Sequence, residues 1–330
     1  MLAPMRSRRG WITLAAAVVG LALLIWQVRA TGVDNIARGL AAVGWLGSAG
    51  VLVISLLRFV ARSTAWTALI PTDTPPGRAL AAIIAGEAVG VLTPLSLLVS
   101  EPAKAAYLGS AIPSVGITGA LAALVAETFF FSVSVAIYVM LGTAMLLYAY
   151  PVDATIRIAG LSVLGGMTGV LIGAAWLAWR KPTVASAIVA RLRIRTITEL
   201  ASTVRSFEHT AYRASGHTSA RLGIVVASEI GFHVLSFLEM WLTLWLITGE
   251  SHIAAAFILD TVGRATNVIF KVVPLQLGVL QIGSEIVANA LGMPPGTGVA
   301  VSLIRTIRVL VWAVIGLGLA VRQTRPNPRR

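Results

Sequence analysis

Apolar residues run along this chain in long blocks, separated by short clusters of charge, proline and glycine, with no sustained alternation. Such blocks read as helices, because half-buried strands alternate apolar and polar positions. They predict helices near 11–28, 45–70, 117–148, 155–179, 222–248 and 297–321. Each has the ~18 to 20 residues that cross ~30 Å of hydrocarbon, where only helices and closed barrels satisfy the backbone. Two further blocks are interrupted. Residues 79–108 are broken at Thr93-Pro94 and carry Glu87, Glu101 and Lys104. Residues 252–293 are broken at Val273-Pro274 and carry Asp260, Arg264, Lys271 and Glu285. Each predicts a helix, a proline-broken turn and another helix, either as a re-entrant hairpin or as a pair of short spans. The fold class is an all-α polytopic membrane protein with six full transmembrane helices and two such broken elements.

Composition agrees: 57% of the residues are hydrophobic and 12% charged, with a mean hydropathy of +0.86, whereas a soluble domain carries about 25% charge. The net charge of +13 would suit nucleic acid, but fifteen of the 26 Lys and Arg fall at Arg6 to Arg9, Arg180 to Arg221 and Arg322 to Arg330. Basic clusters between apolar runs mark cytoplasmic segments, and no aromatic-basic recognition motif accompanies them, so no nucleic acid is expected. All three clusters agree on one topology, a multi-pass protein of the inner (plasma) membrane with both termini cytoplasmic. Met5-Arg6-Ser7-Arg8-Arg9 before an apolar run resembles a signal peptide with Val28-Arg29-Ala30 as its cleavage site. The run from Trp11 to Val28 exceeds the usual h-region and is read as a retained helix. The absence of cysteine excludes disulfides, thiol catalysis and cysteine metal sites.

This topology implies an internal relation. The first broken stretch enters from the cytoplasm and the second from outside, each between two full spans, which is an inverted-topology repeat suited to alternating access. The chain then divides into an N-terminal helix and external linker (1–44), a first repeat (45–179), a basic cytoplasmic loop (180–221), an inverted second repeat (222–321) and a basic tail (322–330). Within the loop, TITELASTVRSFEHTAYR is either an amphipathic surface helix or a solvated connector. Gly165, Gly169 and Gly173, at four-residue intervals, predict close packing of a neighbouring helix within the monomer.

A charge at a helix centre costs ~2.5 to 3.5 kcal/mol on insertion scales, so each needs a partner, a water-filled cavity or a substrate. Arg305 and Arg308 share a face of the last span and suit a phosphate diester through charge-assisted bonds. Pairing with Glu285 or Glu239 is the alternative. Asp260 and Arg264 are spaced to neutralise one another, which leaves Lys271, just before Pro274, as an anion ligand beside unwound backbone. Glu87, Glu101 and Lys104 surround the first break as a partly self-neutralised seam. Glu127 lies among Phe and Val and is read as paired with Arg58 or Arg62, both of which can also snorkel to the inner face. Glu229 and His233, one turn apart with Glu239 farther along, form either a proton relay or, in the simpler reading, the surroundings of a hydrogen-bonded core histidine. No second histidine lies at helical spacing to His233, so no metal is expected, and no cofactor.

At the broken stretches the chain resembles the lysylphosphatidylglycerol synthase transmembrane, or flippase-like, family. That family carries a P-x-x-x-G-G-E-P-x-K-like segment and a later V-P-x-x-L-G-V-x-E segment, which here read TPLSLLVSEPAKA and VPLQLGVLQIGSE. The resemblance extends through VAETFFF and LGMPPGTGVAVSLIRTIRVLVWAVIGL, covering about 45–321. By position, Pro94, Glu101 and Lys104 match the first motif, Glu127 the helix glutamate, Pro274 and Gly278 the second motif, and Arg305 with Arg308 the basic pair. Val99 and Ser100 stand where the family has glycines, and Gln281 stands where it has a glutamate. The resemblance implies translocation of a lipid between leaflets, relatives being associated with aminoacylated phosphatidylglycerol, polyprenyl-phosphate sugars and hopanoids. The hopanoid-associated branch looks nearest. The chain ends nine residues after its last predicted span, so the aminoacyl-transferase domain of fused synthases is not expected, and with no catalytic motif evident the chain is read as a non-enzyme. In the leading expectation Arg305, Arg308 and Lys271 bind a lipid phosphate or polar head while Glu101 and Lys104 couple the halves. A scaffold or accessory subunit of a lipid or envelope synthesis complex, and an intramembrane transferase on a polyprenyl phosphate, are the alternatives.

Overall fold

The computed structural model describes residues 33–70, 72–91, 96–180, 219–269 and 279–324, which form helices and no strand. In chain order these are α1 (Val33–Ala68), α2 (Pro76–Val91), α3 (Ser96–Ala111), α4 (Gly116–Ala149), α5 (Ala154–Arg180), α6 (Ser219–Thr248), α7 (Ile253–Ile269), α8 (Val279–Ala290) and α9 (Thr297–Thr324). Five are long and apolar enough to cross a membrane: Val43–Ala68 within α1, all of α4, α5 and α6, and Thr297–Gln323 within α9. The predicted helix at 11–28 and the loop segment 196–213 lie outside the described residues. So do Lys271 and the break residues Pro94, Pro274 and Gly278.

Both broken stretches are pairs of short helices. α2 and α3 have 16 residues each, or about 24 Å at 1.5 Å per residue. α7 has 17 residues and α8 has 12. The described part of each member is shorter than ~30 Å, and the members of each pair pack on one another. One boundary departs from the sequence reading. The external linker expected up to residue 44 is helical from Val33, and the chain bends only at Gly44, whose φ of 70° suits a residue without a Cβ. Nothing in VDNIARGLAAV breaks a helix before that glycine.

α1 packs along α6 at the centre of the bundle. α2 lies against α1, α3 and α9; α3 against α4; α7 against α4, α6 and α8; α8 against α9. α9 also touches α1 and α6, and α4 touches α6 and α1. Two of the apolar cores that result flank the centre. Trp66, Leu69, Ile83, Leu108 and Leu124 fill one between α1, α2, α3 and α4, where the Trp66 indole N–H donates to the Ala120 carbonyl at 3.1 Å. Met240, Leu244, Ile258, Leu259, Val287 and Val301 fill the other between α6, α7, α8 and α9. Side chains such as Ile137, Leu141, Ile172, Trp179 and Ile230 point outward and exposed, as a lipid-facing surface requires.

α5 sits at the edge, against α4. The close packing expected of Gly165, Gly169 and Gly173 is not made to any described helix, since a Cβ at each would meet nothing within 4 Å. Close approach occurs instead at Gly316 on α9, where a Cβ would run into the Ile84 carbonyl of α2. Gly316→Leu should therefore force α9 from α2 at about 1 to 3 kcal/mol, while Gly169→Leu stays within about 0.5 kcal/mol. Thermal melts of the detergent-solubilised variants check this contrast, and equal melting points would refute the packing.

Candidate functional site

Charge reaches the middle of the spanning segments. Arg58, His233 and Arg308 each fall within three residues of the midpoint of their spanning segments, Val43–Ala68, Ser219–Thr248 and Thr297–Gln323, hence within about 4 Å of it along the axis. At that depth a charge has little water to turn to, and each is answered by the protein. Arg62 on α1 holds Glu127 on α4 through two bonds, Nε to Oε1 at 2.9 Å and Nη2 to Oε2 at 2.7 Å. Its guanidinium also lies 4.0 Å over the Phe131 ring. The fork matches a carboxylate plane and the ring face screens the rest.

Glu239 on α6 is shared. Arg58 reaches one oxygen at 2.7 Å and Arg308 on α9 binds the other. Asp260 on α7 accepts from the Tyr138 hydroxyl and the Ser236 hydroxyl, both at 3.0 Å, and pairs with Arg264 at 3.5 Å one turn away. Arg264 covers the Phe232 ring at 4.8 Å, and its Nε and Nη2 find no hydrogen-bond acceptor. Arg305 has no carboxylate within 4.0 Å among the described residues. Its guanidinium lies against the backbone of α7, in a space that a Cβ on Gly263 would occupy.

The first broken stretch contributes a second group. Lys104 on α3, 1% exposed, donates to Glu87 on α2 at 2.6 Å and to Glu101 at 2.8 Å. Glu87 turns toward the arginines and, with Ser55, Arg58, Arg62, Arg308 and Trp312, lines a cavity of about 170 Å³, room for about five or six waters. Behind it Arg58, Arg308, Glu239, Asp260 and Arg305 line a cleft of about 10 Å³, no more than one water. A third group lies between α4 and α6, where Ser134 Oγ is 3.1 Å from Glu229 Oε2 and 3.0 Å from His233 Nε2, and His233 stacks on Tyr138 at 4.5 Å. These residues floor an apolar groove of about 840 Å³, open on its flank.

Asp260 and Arg264 pair as their spacing suggests, Glu87, Glu101 and Lys104 form one seam, and Glu127 is held by Arg62. His233 is a hydrogen-bonded histidine of the core. Arg305 and Arg308, treated alike, separate: Arg308 pairs and Arg305 does not. Glu285, considered as their partner, is used by the N-terminus of α9, accepting from the Gly296 and Val299 amides at 2.7 and 3.1 Å. Gln281 lies in the first turn of α8. Arg58 and Arg62 are each bound to a carboxylate on another helix, with side chains 13% exposed. Their four-residue spacing near the span centre was the available signal that they line the cavity.

Removing one member of the Arg62–Glu127 pair leaves a buried charge, so Glu127→Ala should destabilise by about 3 kcal/mol, and Arg62→Met with Glu127→Met should recover much of it. Melts of the single and double variants test this, and an additive double variant would count against the pair.

Against known protein families, the family model described as the lysylphosphatidylglycerol synthase TM region matches residues 12–318. No curated protein and no solved structure matches the chain.

Proposed function

The chain belongs to the family of the lysylphosphatidylglycerol synthase TM region, and from that premise we propose that it is a flippase-like transporter that moves an anionic lipid headgroup between leaflets. The observation that carries this reading is the cationic cluster, where Arg58, Arg62 and Arg308 line one cavity and Arg305, with no carboxylate within 4.0 Å among the described residues, lines a cleft that shares Arg58 and Arg308 with it. A phosphodiester entering there would meet forked donors in low dielectric, where charge-assisted bonds are strong. Lys271, from the second broken stretch, is the further cation assigned to the headgroup, and Glu101 with Lys104 ties the first hairpin to it through Glu87.

The inverted-topology repeat supports alternating access. If α1 to α4 correspond to α6 to α9, every neighbour relation in one half has a counterpart in the other: α2 on α9 with α7 on α4, α3 on α4 with α8 on α9, α1 on α2 with α6 on α7, and α1 on α9 with α6 on α4. The ion pairs follow the same rule with signs exchanged. Arg62 of α1 binds Glu127 of α4, and Glu239 of α6 binds Arg308 of α9. Glu127 and Arg308 each stand eleven residues after the first residue of their helix. In the inner-membrane orientation drawn from the basic clusters, both termini are cytoplasmic. The scaffold reading has one feature in its favour, the open face of Gly165, Gly169 and Gly173, which suits a helix of a partner chain.

Transbilayer movement of fluorescent phosphatidylglycerol in proteoliposomes tests the proposal. Adding the protein should accelerate exchange, and Arg305→Ala should reduce it about tenfold or more at equal incorporation, the equivalent of ~1.4 kcal/mol of lost headgroup binding. No acceleration by the native chain with any lipid class or ion gradient would refute transport.

A further inference from the structure

α1 and α9 meet at the arginine-lined cavity with the same spacing. Arg58 and Arg62 are four residues apart on α1, and Arg308 and Trp312 are four apart on α9, so each pair shares a helix face. Trp312 stands two residues from the midpoint of its spanning segment, Thr297–Gln323, about 3 Å along the axis. That is an uncommon depth for tryptophan, which gathers at membrane–water interfaces where its rings are in hydrocarbon and its N–H finds a polar partner. Elsewhere in this bundle the rule is kept: the Trp66 indole donates to the Ala120 carbonyl at 3.1 Å and that of Trp241 to the Ser251 hydroxyl at 2.9 Å. The Trp312 ring is fixed, but its N–H is not answered. Phe59, next to Arg58 in the chain, meets the indole edge to face at 5.1 Å. One turn farther along α9, the close contact of Gly316 with Ile84 and Ala88 keeps this helix on α2. Nε1 is buried and has no hydrogen-bond partner among the described residues.

Arg58 has the same deficit on the same wall. Its Nη1 donates to Glu239 at 2.7 Å, and its Nε is buried with no partner among the described residues. Indole and guanidinium N–H groups donate and cannot accept, so both unanswered groups on this wall call for an acceptor. Glu87, the carboxylate that also lines the cavity, is engaged by Lys104 at 2.6 Å. A phosphodiester offers acceptor oxygens without a proton of its own, and it fits a space of about five or six waters where an acyl chain does not. We propose that the Trp312 indole N–H, together with the Arg58 Nε–H, donates to the non-bridging oxygens of the headgroup phosphodiester, which makes Trp312 a specificity-determining residue of this site. The inference rests on the headgroup reading above and adds a neutral donor to it. The arginines attract any anion that enters, whereas an N–H held in place by Phe59 rewards an oxygen in one direction.

Proton–nitrogen NMR spectra of the full chain, labelled at its nine tryptophans and held in phosphate-free maltoside micelles, read the donor directly. The indole signal missing from Trp312→Phe belongs to Trp312, and Trp312→Tyr gives the same assignment where the phenylalanine chain does not fold. Adding phosphatidylglycerol should move that signal downfield, as a new hydrogen bond does. Adding diacylglycerol, which has the same chains and no phosphate, should leave it in place. Trp312→Phe keeps a ring against Phe59 and lacks the N–H, so its affinity for phosphatidylglycerol should fall about threefold to tenfold, the worth of one neutral donor. A signal that stays in place while phosphatidylglycerol binds, a shift that diacylglycerol produces equally, or a Trp312→Phe chain that binds as tightly as the native one overturns the donor and leaves the headgroup reading standing. No binding of phosphatidylglycerol by the native chain also overturns the donor, and transport of other lipid classes then decides the headgroup reading alone.

Discussion

A guanidinium does not shed its charge when it leaves water, so an arginine at the middle of a spanning helix has to be answered before the bundle can close. Four of the five arginines at mid-depth are answered by carboxylates, and in three cases the carboxylate comes from a different helix. That constraint fixes which helices meet. Arg62 brings α1 to α4, Arg58 brings it to α6, and Arg308 brings α9 to α6. Apolar surface alone would not specify these neighbours, because a lipid tail is as good a partner for leucine as another leucine is.

The same constraint explains why the site sits where it does. Among the described residues Arg305 has no carboxylate within 4.0 Å, and it lines a cleft that shares Arg58 and Arg308 with a cavity also lined by Arg62. The first broken stretch supplies one wall of this space. Glu87 of α2 lines the cavity while Lys104 keeps it tied to α3. The hairpin thus lends the arginine cluster a carboxylate that is itself held by a cation.

Much of the fold was legible from block length. Unbroken apolar runs gave α4, α5, α6 and the spanning parts of α1 and α9, because the thickness of hydrocarbon sets the length of an apolar helix independently of tertiary contacts. The start of α1 was not legible, since a kink at Gly44 and the end of a helix look alike in sequence. Of the site, the pairs one turn apart could be read: Asp260 with Arg264, and Glu101 with Lys104. Pairs between helices could be narrowed but not chosen, as with Glu127 and its two candidate arginines. The glycine series on α5 meets no described helix, and four-residue spacing identifies a face without saying what lies on it. Ser134 gave no signal at all; that it lies between Glu229 and His233 follows only from how α4 and α6 meet.

Glu239 is held by two arginines, one from α1 and one from α9, and this odd number constrains how the protein can change over evolution. A simple pair such as Arg62 with Glu127 can drift to the opposite polarity through two compensating substitutions. The triplet takes three, and it tolerates the loss of either arginine, which leaves a matched pair, better than the loss of Glu239, which strands two cations in hydrocarbon. Substitution should then be freer at Arg58 and Arg308 than at the carboxylate they share.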